Sequence, residues 1–200
     1  MAKTGRKATV ALVALMTLGL AGRASGNDKI APAEQPKPTI VLHVTNEAAL
    51  SPEVIDAAKA RVAAVYAVIG VRTVWDDRGM AVSRLENGEL HVNVLLLPRD
   101  KKQRKGSANG KARVLGQAHL PSGRAYIFCD RIAEMSDLPE TFPYPLADVI
   151  AHEVGHLALQ EGAHSASGIM RASLHGRLMH VQSFNRTEAR IIRTALMGTN

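Results

Sequence analysis

The residues with the clearest chemical potential form one short run, His152-Glu153-Val154-Gly155-His156, in a chain of 200 residues. On an α-helix, residues four positions apart lie one turn above each other on the same face. Two imidazoles placed in this way can bind one Zn²⁺ at nitrogen–metal distances of about 2.0–2.1 Å. Glu153 lies one position further round the helix, where it can take a proton from water near the metal. The run therefore predicts a zinc site with an adjacent general base.

A catalytic zinc site normally has three protein ligands, so a third side chain is needed after this run. His164 is the nearest imidazole beyond the predicted helix, and Gly162 is placed to let the chain reverse before it. Small residues at 165–168 and Ile169 then lead to Met170. We expect this segment to complete a site of three histidines that leaves one metal position open for water.

With this third histidine the segment resembles the metzincins, zinc endopeptidases whose HExxHxxGxxH motif precedes a Met-turn, and among them the matrixins. The resemblance implies one catalytic Zn²⁺. It also implies the following roles: His152, His156 and His164 as metal ligands, Glu153 as the general base and Met170 as the Met-turn residue. Family members carry a strand, a helix and a mixed sheet before the active-site helix.

The chain departs from the family in the spacing of the third histidine. His164 lies twelve residues after His152, whereas the family spacing is ten, and Leu159 occupies the position of the family glycine. We therefore expect the helix to run about half a turn longer, with Gly162 forming the exit that brings His164 back.

Other residues could also supply the third metal ligand. Glu188, on a later predicted helix, could supply a carboxylate to the metal. Its position three residues after Asn185 is equally that of a helix-capping box, which needs no metal. Glu161 and His175 are weaker substitutes.

Hydrophobic patterning and turn residues predict the elements that position this site. Strands are predicted over 39–44, 71–75, 89–97, 114–120 and 124–129, and helices over 51–70, 145–159 and 186–197. Segment 115–120 resembles the metzincin strand that borders the cleft, and segment 184–198 resembles the family's last helix. The predicted fold class is α/β (α+β), with a mixed sheet, an edge strand over the cleft, an active-site helix, a Met-turn and a C-terminal helix.

The amino terminus reads as an export signal. Three basic residues precede the apolar run 8–20, small residues follow it, and the run is too short to suit a membrane-spanning helix. We predict a signal peptide over 1–26, a flexible leader over 27–38 and a zinc metallopeptidase catalytic domain over 39–200. The mature protein is expected to be secreted or periplasmic, monomeric and without a stable membrane anchor.

Composition excludes several other classes of protein. Cleavage after residue 26 removes four basic residues and no acidic one, which lowers the formal charge from +7 to +3 and weakens any case for nucleic-acid binding. The single cysteine excludes an internal disulfide framework and a multi-cysteine zinc cluster. The basic segment 100–113 is interpreted as a solvated loop.

These features favour a secreted zinc-dependent endopeptidase that hydrolyses peptide bonds through a zinc-activated water, with Glu153 as the general base. Its expected partner is a protein or peptide substrate, which could pair with the edge strand near residues 116–119. Two alternatives stay open: a catalytically inactive zinc-binding module of the same fold, and a zinc hydrolase of non-peptide amides.

Overall fold

The computed structural model describes residues 37–86, 88–98, 114–136, 138–162, 164–172 and 182–198. Several sequence predictions lie outside these residues: the signal peptide, most of the leader, the whole basic segment 100–113, and His175. They stay predictions. No helix among the described residues is both long and apolar enough to cross a membrane.

Six strands and four helices make up the described fold. The strands are β1 (Thr39–Asn46), β2 (Arg72–Asp76), β3 (Leu85–Glu86), β4 (Glu89–Leu97), β5 (Gly116–His119) and β6 (Arg124–Phe128). The helices are α1 (Pro52–Ala67), α2 (Cys129–Ala133), α3 (Pro143–Leu159) and α4 (Arg186–Met197).

The strands form one mixed sheet in the order β2-β1-β4-β6-β5. Neighbours are parallel from β2 to β6, whereas β5 runs antiparallel to β6 and lies at the edge. The short strand β3 forms a hairpin with the start of β4. This arrangement confirms the predicted α/β class with a mixed sheet and an edge strand.

Alternate residues of the central strands build a core with α1 and α3. Ile40 and Leu42 of β1, and Val92 and Val94 of β4, are fully buried in this core. Parallel strands are joined by crossovers that place helices on the sheet, so the strand residues facing those helices are expected to be apolar. The sheet thus provides a rigid backing for α3, the helix that carries the histidine motif.

Two polar contacts fix α3 against α1. The Arg61 guanidinium donates two hydrogen bonds to the buried Asp148 carboxylate, at 2.8 and 3.0 Å. The Tyr66 hydroxyl donates to the Ala151 carbonyl oxygen at 3.0 Å. The ion pair satisfies the buried Asp148 charge. Because both contacts require particular distances between atoms, they also fix the position of α3 along and around its axis.

The boundaries of β4 and α4 match the sequence prediction, and Ser51 caps α1 as expected. The prediction that residues 124–129 form one strand was wrong at its end, since Cys129 begins α2. Phe128 pairs with Leu97, the last residue of β4, so the ladder has no partner for Cys129. Helix α3 begins two residues before the predicted Pro145, at Pro143.

Candidate metal centre and active site

Helix α3 is buried along almost its whole length, which is unusual for a helix with two histidines and a glutamate near its end. His152, Glu153 and His156 are 7%, 6% and 6% exposed. Buried polar groups need partners, so each of these side chains must be accounted for by a specific contact. The two histidines meet at one place, and Glu153 contacts the edge strand β5.

The Nε2 atoms of the two histidines of α3 face each other. The two Nε2 atoms of His152 and His156 lie 3.1 Å apart. Each ring donates its other nitrogen to a backbone carbonyl: His152 Nδ1 to Ile169 and His156 Nδ1 to Glu161, both at 2.8 Å. Because Nδ1 carries the proton in each ring, Nε2 is the free lone pair. Two facing lone pairs repel each other unless a cation lies between them.

His164 brings a third imidazole to this point. Its ring centroid lies 5.2 Å from that of His152 and 5.0 Å from that of His156. One ligand nitrogen from each of the three residues can be chosen so that all lie within 4.8 Å of one another. Unlike the other two, His164 is exposed. The three side chains that the sequence predicted as ligands are therefore brought together.

Burial keeps the two helix histidines neutral. Desolvation lowers the pKa of His152 to about 4, although the hydrogen bond to Ile169 opposes the shift. Desolvation also lowers the pKa of His156. Neutral imidazole is the form that binds metal, and three imidazoles are a donor set that suits Zn²⁺. The residues present therefore fit a zinc ion.

The chain leaves α3 by a route that the sequence did not predict. Gln160 caps the helix in the left-handed conformation, at φ 55°, and its N–H donates to the His156 carbonyl. Gly162, which was predicted to make this turn, does not have positive φ, so that prediction was wrong. The left-handed turn comes directly after Leu159, the position of the family glycine, and it brings the Glu161 carbonyl to His156.

Met170 lies beneath the histidine helix. Its side chain is 1% exposed, and a Cβ atom placed on Gly155 would meet Met170 Sδ at 2.6 Å and Phe184 Cε1 at 3.0 Å. The turn that carries it is closed by a hydrogen bond from Ser165 N to Met170 O at 2.8 Å. Gly155 therefore allows this turn to pack directly against α3, between the two histidines.

Glu153 lies on the other flank of the helix, against the edge strand β5. A Cβ atom on Gly116 would meet Glu153 Cγ and Oε1 at 2.7 Å, so only glycine leaves room for this carboxyl group. The Ala118 N–H donates to the Glu153 carboxylate. Burial raises the pKa of Glu153 to about 7, and the bond from Ala118 only partly offsets this.

Glu188, the rival ligand, is engaged elsewhere. Its carboxylate accepts from Asn185 N at 2.7 Å, and Asn185 Oδ1 accepts from Glu188 N in return, which is the predicted capping box. It also accepts a short hydrogen bond from Ser165 Oγ. Glu188 is not part of the histidine cluster and instead ties the residue after His164 to the start of α4.

Other residues with possible chemistry have structural roles in the described fold. His43 and His91 share a hydrogen bond of 3.0 Å across β1 and β4. His119 is exposed on β5 and hydrogen-bonds to Ser122 at 2.6 Å. Cys129 is buried, and burial raises the pKa of its thiol to about 12, which leaves it protonated and inert.

Sequence reasoning did not predict the structural roles of three residues at the site: Gly116, Gly155 and Gln160. The two glycines lie inside a strand and a helix, where glycine is unfavourable unless another group approaches closely. That signal was present in the sequence, but it does not identify the approaching side chain. Nothing in a glutamine at position 160 indicates a left-handed backbone.

A comparison with solved structures finds matching chains, among them one archaeal protein. The chain is similar to archaemetzincin from Methanopyrus kandleri, at 17% sequence identity and a TM-score of 0.49, over 83% of this chain and 99% of archaemetzincin. No family model and no curated protein matches the sequence. The likeness concerns the fold alone and lends no support to a matrixin-like subdivision.

The packing beneath α3 makes a testable prediction about Gly155. A Gly→Ala change inside a helix normally stabilises a protein by up to about 1 kcal/mol. In Gly155→Ala the new methyl group would collide with Met170 and Phe184, and we expect a loss of about 1–3 kcal/mol instead. Urea unfolding measures the difference.

Gly162→Ala is the matched control, because no atom lies within 4 Å of its added Cβ and its backbone is not left-handed. It should leave the free energy of unfolding unchanged or slightly raised. A Gly155→Ala protein as stable as Gly162→Ala would contradict the packing described for Met170.

Proposed function

We propose that this protein is an exported, zinc-dependent endopeptidase of the metzincin type. The observation that carries the proposal is the convergence of the His152 and His156 Nε2 lone pairs beside His164, with the buried Glu153 on the adjacent flank of the same helix. Structural zinc sites use four protein ligands, whereas catalytic sites use three and keep one position open. Three imidazoles and a nearby carboxyl group match a catalytic zinc site.

The ion would be held by His152, His156 and His164. When bound, zinc would supply a Lewis acid that polarises the scissile carbonyl and makes water more acidic. The chain's own contribution is the orientation of the ligands, since the Ile169 and Glu161 carbonyls hold the His152 and His156 rings in the binding tautomer.

Glu153 would carry the proton during hydrolysis. It accepts a proton from the attacking water and delivers it to the departing amine nitrogen, so it must act in turn as base and as acid. A pKa raised to about 7 by burial suits both directions of transfer at neutral pH. The Ala118 N–H would hold the carboxylate against the edge strand.

The edge strand β5 would bind the substrate backbone. Its ladder pairs with β6 on one side, and Gly116 and Ala118 lie directly beside Glu153. An extended peptide that adds to an open sheet edge gains main-chain hydrogen bonds without any particular side chain. This arrangement favours peptide substrates over small amides.

Export, a monomeric state and a single zinc ion rest on the sequence alone and form part of the proposal. The basic start and short apolar run support a signal peptide over 1–26. An inactive zinc-binding module is the second candidate, because the exposed His164 lies twelve residues after His152 and could bind metal without turnover.

The first test concerns Glu153. Glu153→Ala should lower hydrolysis of a denatured protein by about 10²-fold or more, because the general base is lost. Zinc content, measured by mass spectrometry of the metal, should stay at that of the wild type, because Glu153 handles protons and not metal.

Glu140→Ala, which removes an exposed glutamate outside the site, is the control and should keep full activity. Chelation should abolish wild-type hydrolysis and added zinc should restore it. A wild type that binds zinc yet cleaves no protein would support the inactive module, and cleavage of small amides alone would support the non-peptide hydrolase.

The second test distinguishes His164 from Glu188 as the third metal ligand. His164→Ala should weaken zinc affinity by orders of magnitude, since only two imidazoles remain. Glu188→Gln should keep zinc affinity and cost at most about 1 kcal/mol of stability, through the cap of α4. Chelator competition gives both dissociation constants. Retention of zinc by His164→Ala together with its loss from Glu188→Gln would reverse the assignment.

A further inference from the structure

His164 differs from the two histidines of α3 in how the structure holds it. The rings of His152 and His156 are buried, and each donates a hydrogen bond to a backbone carbonyl. His164 is exposed, and no described residue forms a hydrogen bond with its ring. The ring of this third proposed ligand is therefore positioned mainly by the backbone that carries it, so the contacts of the next residue, Ser165, become decisive.

Ser165 has contacts within its own turn and one contact beyond it. Its N–H donates to the Met170 carbonyl oxygen at 2.8 Å, and its backbone forms a parallel bridge with Arg171. Both contacts close the turn that carries Met170. The Ser165 hydroxyl group instead donates to the Glu188 carboxylate, 23 residues further along the chain on α4. This last hydrogen bond joins the residue after His164 to a separate helix.

Helix α4 gives this hydrogen bond a firm anchor. Ala189, Ile192 and Leu196 bury one face of the helix in the core, and α4 packs against α3. Close packing in a protein interior leaves a helix little room to shift. Because Glu188 lies in the first turn of α4, its carboxylate is a fixed point to which the turn after α3 can be tied.

Glu188 is buried more deeply than its capping role requires. A capping box needs only the bond from the Asn185 N–H to the glutamate carboxylate, which an exposed glutamate can also accept. Glu188 is only 6% exposed and forms no ion pair with any described residue. A buried carboxylate without a countercharge is costly unless its oxygens accept hydrogen bonds. Asn185 N satisfies Oε2 and Ser165 Oγ satisfies Oε1, so the second bond goes beyond the cap.

We propose that Ser165 and Glu188 are positioning residues for His164, and that the hydrogen bond between them sets the zinc affinity of the site by tying the exposed third ligand to α4. The inference rests on the three-histidine site of the proposed function, but not on peptide hydrolysis. Neither residue would contact the ion. Groups that hold a metal ligand in place typically change metal affinity by about 10–100-fold when they are removed.

The experiment measures zinc dissociation constants of full-length variants by chelator competition. Ser165→Ala and Glu188→Ala should each raise the dissociation constant by about tenfold or more, because either change breaks the bond to α4. The effect should act through His164. When His164→Ala is already present, adding Ser165→Ala should weaken zinc binding no further, since the ligand that it positions is gone.

Glu188→Gln should keep wild-type zinc affinity, because both hydrogen bonds survive this conservative change. The amide oxygen of glutamine can accept from Asn185 N. Its amide nitrogen can donate to the Ser165 hydroxyl group, which is an acceptor as well as a donor. Retention in Glu188→Gln with loss in Glu188→Ala would show that the hydrogen bond matters and the charge does not.

Asn185→Ala is the matched control for the stability of α4. It removes the side chain that accepts from Thr187 N and Glu188 N, but it leaves the bond between Ser165 and Glu188 in place. The loss of this cap should lower the midpoint of urea unfolding, whereas zinc affinity should stay at the wild-type value.

Three results would overturn the positioning role and leave the proposed endopeptidase standing. They are wild-type zinc affinity in Ser165→Ala or Glu188→Ala, a loss in Glu188→Gln or Asn185→Ala as large as that in Glu188→Ala, and a further loss when Ser165→Ala is added to His164→Ala. A zinc-loaded wild type that cleaves no protein overturns the endopeptidase and leaves the positioning role intact. A wild type that binds no zinc overturns both.

Discussion

The arrangement of the candidate metal site depends on two hydrogen bonds that hold the imidazole rings of α3 in one tautomer. His152 and His156 each donate Nδ1–H to a backbone carbonyl, and this leaves two Nε2 lone pairs 3.1 Å apart. The acceptors, Ile169 and Glu161, belong to segments that follow α3. The proposed metal site therefore forms only when the chain has turned back beneath its own helix, so the turn after α3 matters as much as the histidines.

Two glycines allow the flanks of α3 to close. Gly155 admits Met170 and Phe184 on one side, and Gly116 admits the Glu153 carboxyl group on the other. The Arg61–Asp148 ion pair sets where the helix lies on the sheet. Because protein interiors tolerate little change in volume, these contacts leave His152, His156 and Glu153 few alternative positions. A preorganised arrangement of this kind is what the proposed hydrolysis would require.

The helix starts and the pairing of the two histidines on α3 were predictable from local sequence patterns. Ser51 before a proline, and Asn185 three residues before Glu188, are capping signals that act within a few residues, and both helices begin there. The pairing of histidines one helical turn apart is equally local. The exit from α3 was not predictable, because Gln160 adopts a left-handed conformation that its own side chain does not favour. The approach of Glu153 to Gly116 depends on residues far apart in the chain, so no local pattern contains it.

The most direct test of the account is X-ray absorption spectroscopy at the zinc edge of the zinc-loaded protein. The account predicts three imidazole nitrogens at about 2.0–2.1 Å and one oxygen ligand from water, without sulfur. In His164→Ala the imidazole count should fall from three to two. A wild-type spectrum with only two imidazoles, or one that keeps its imidazole count when His164 is removed, would contradict the three-histidine site on which the proposed function rests.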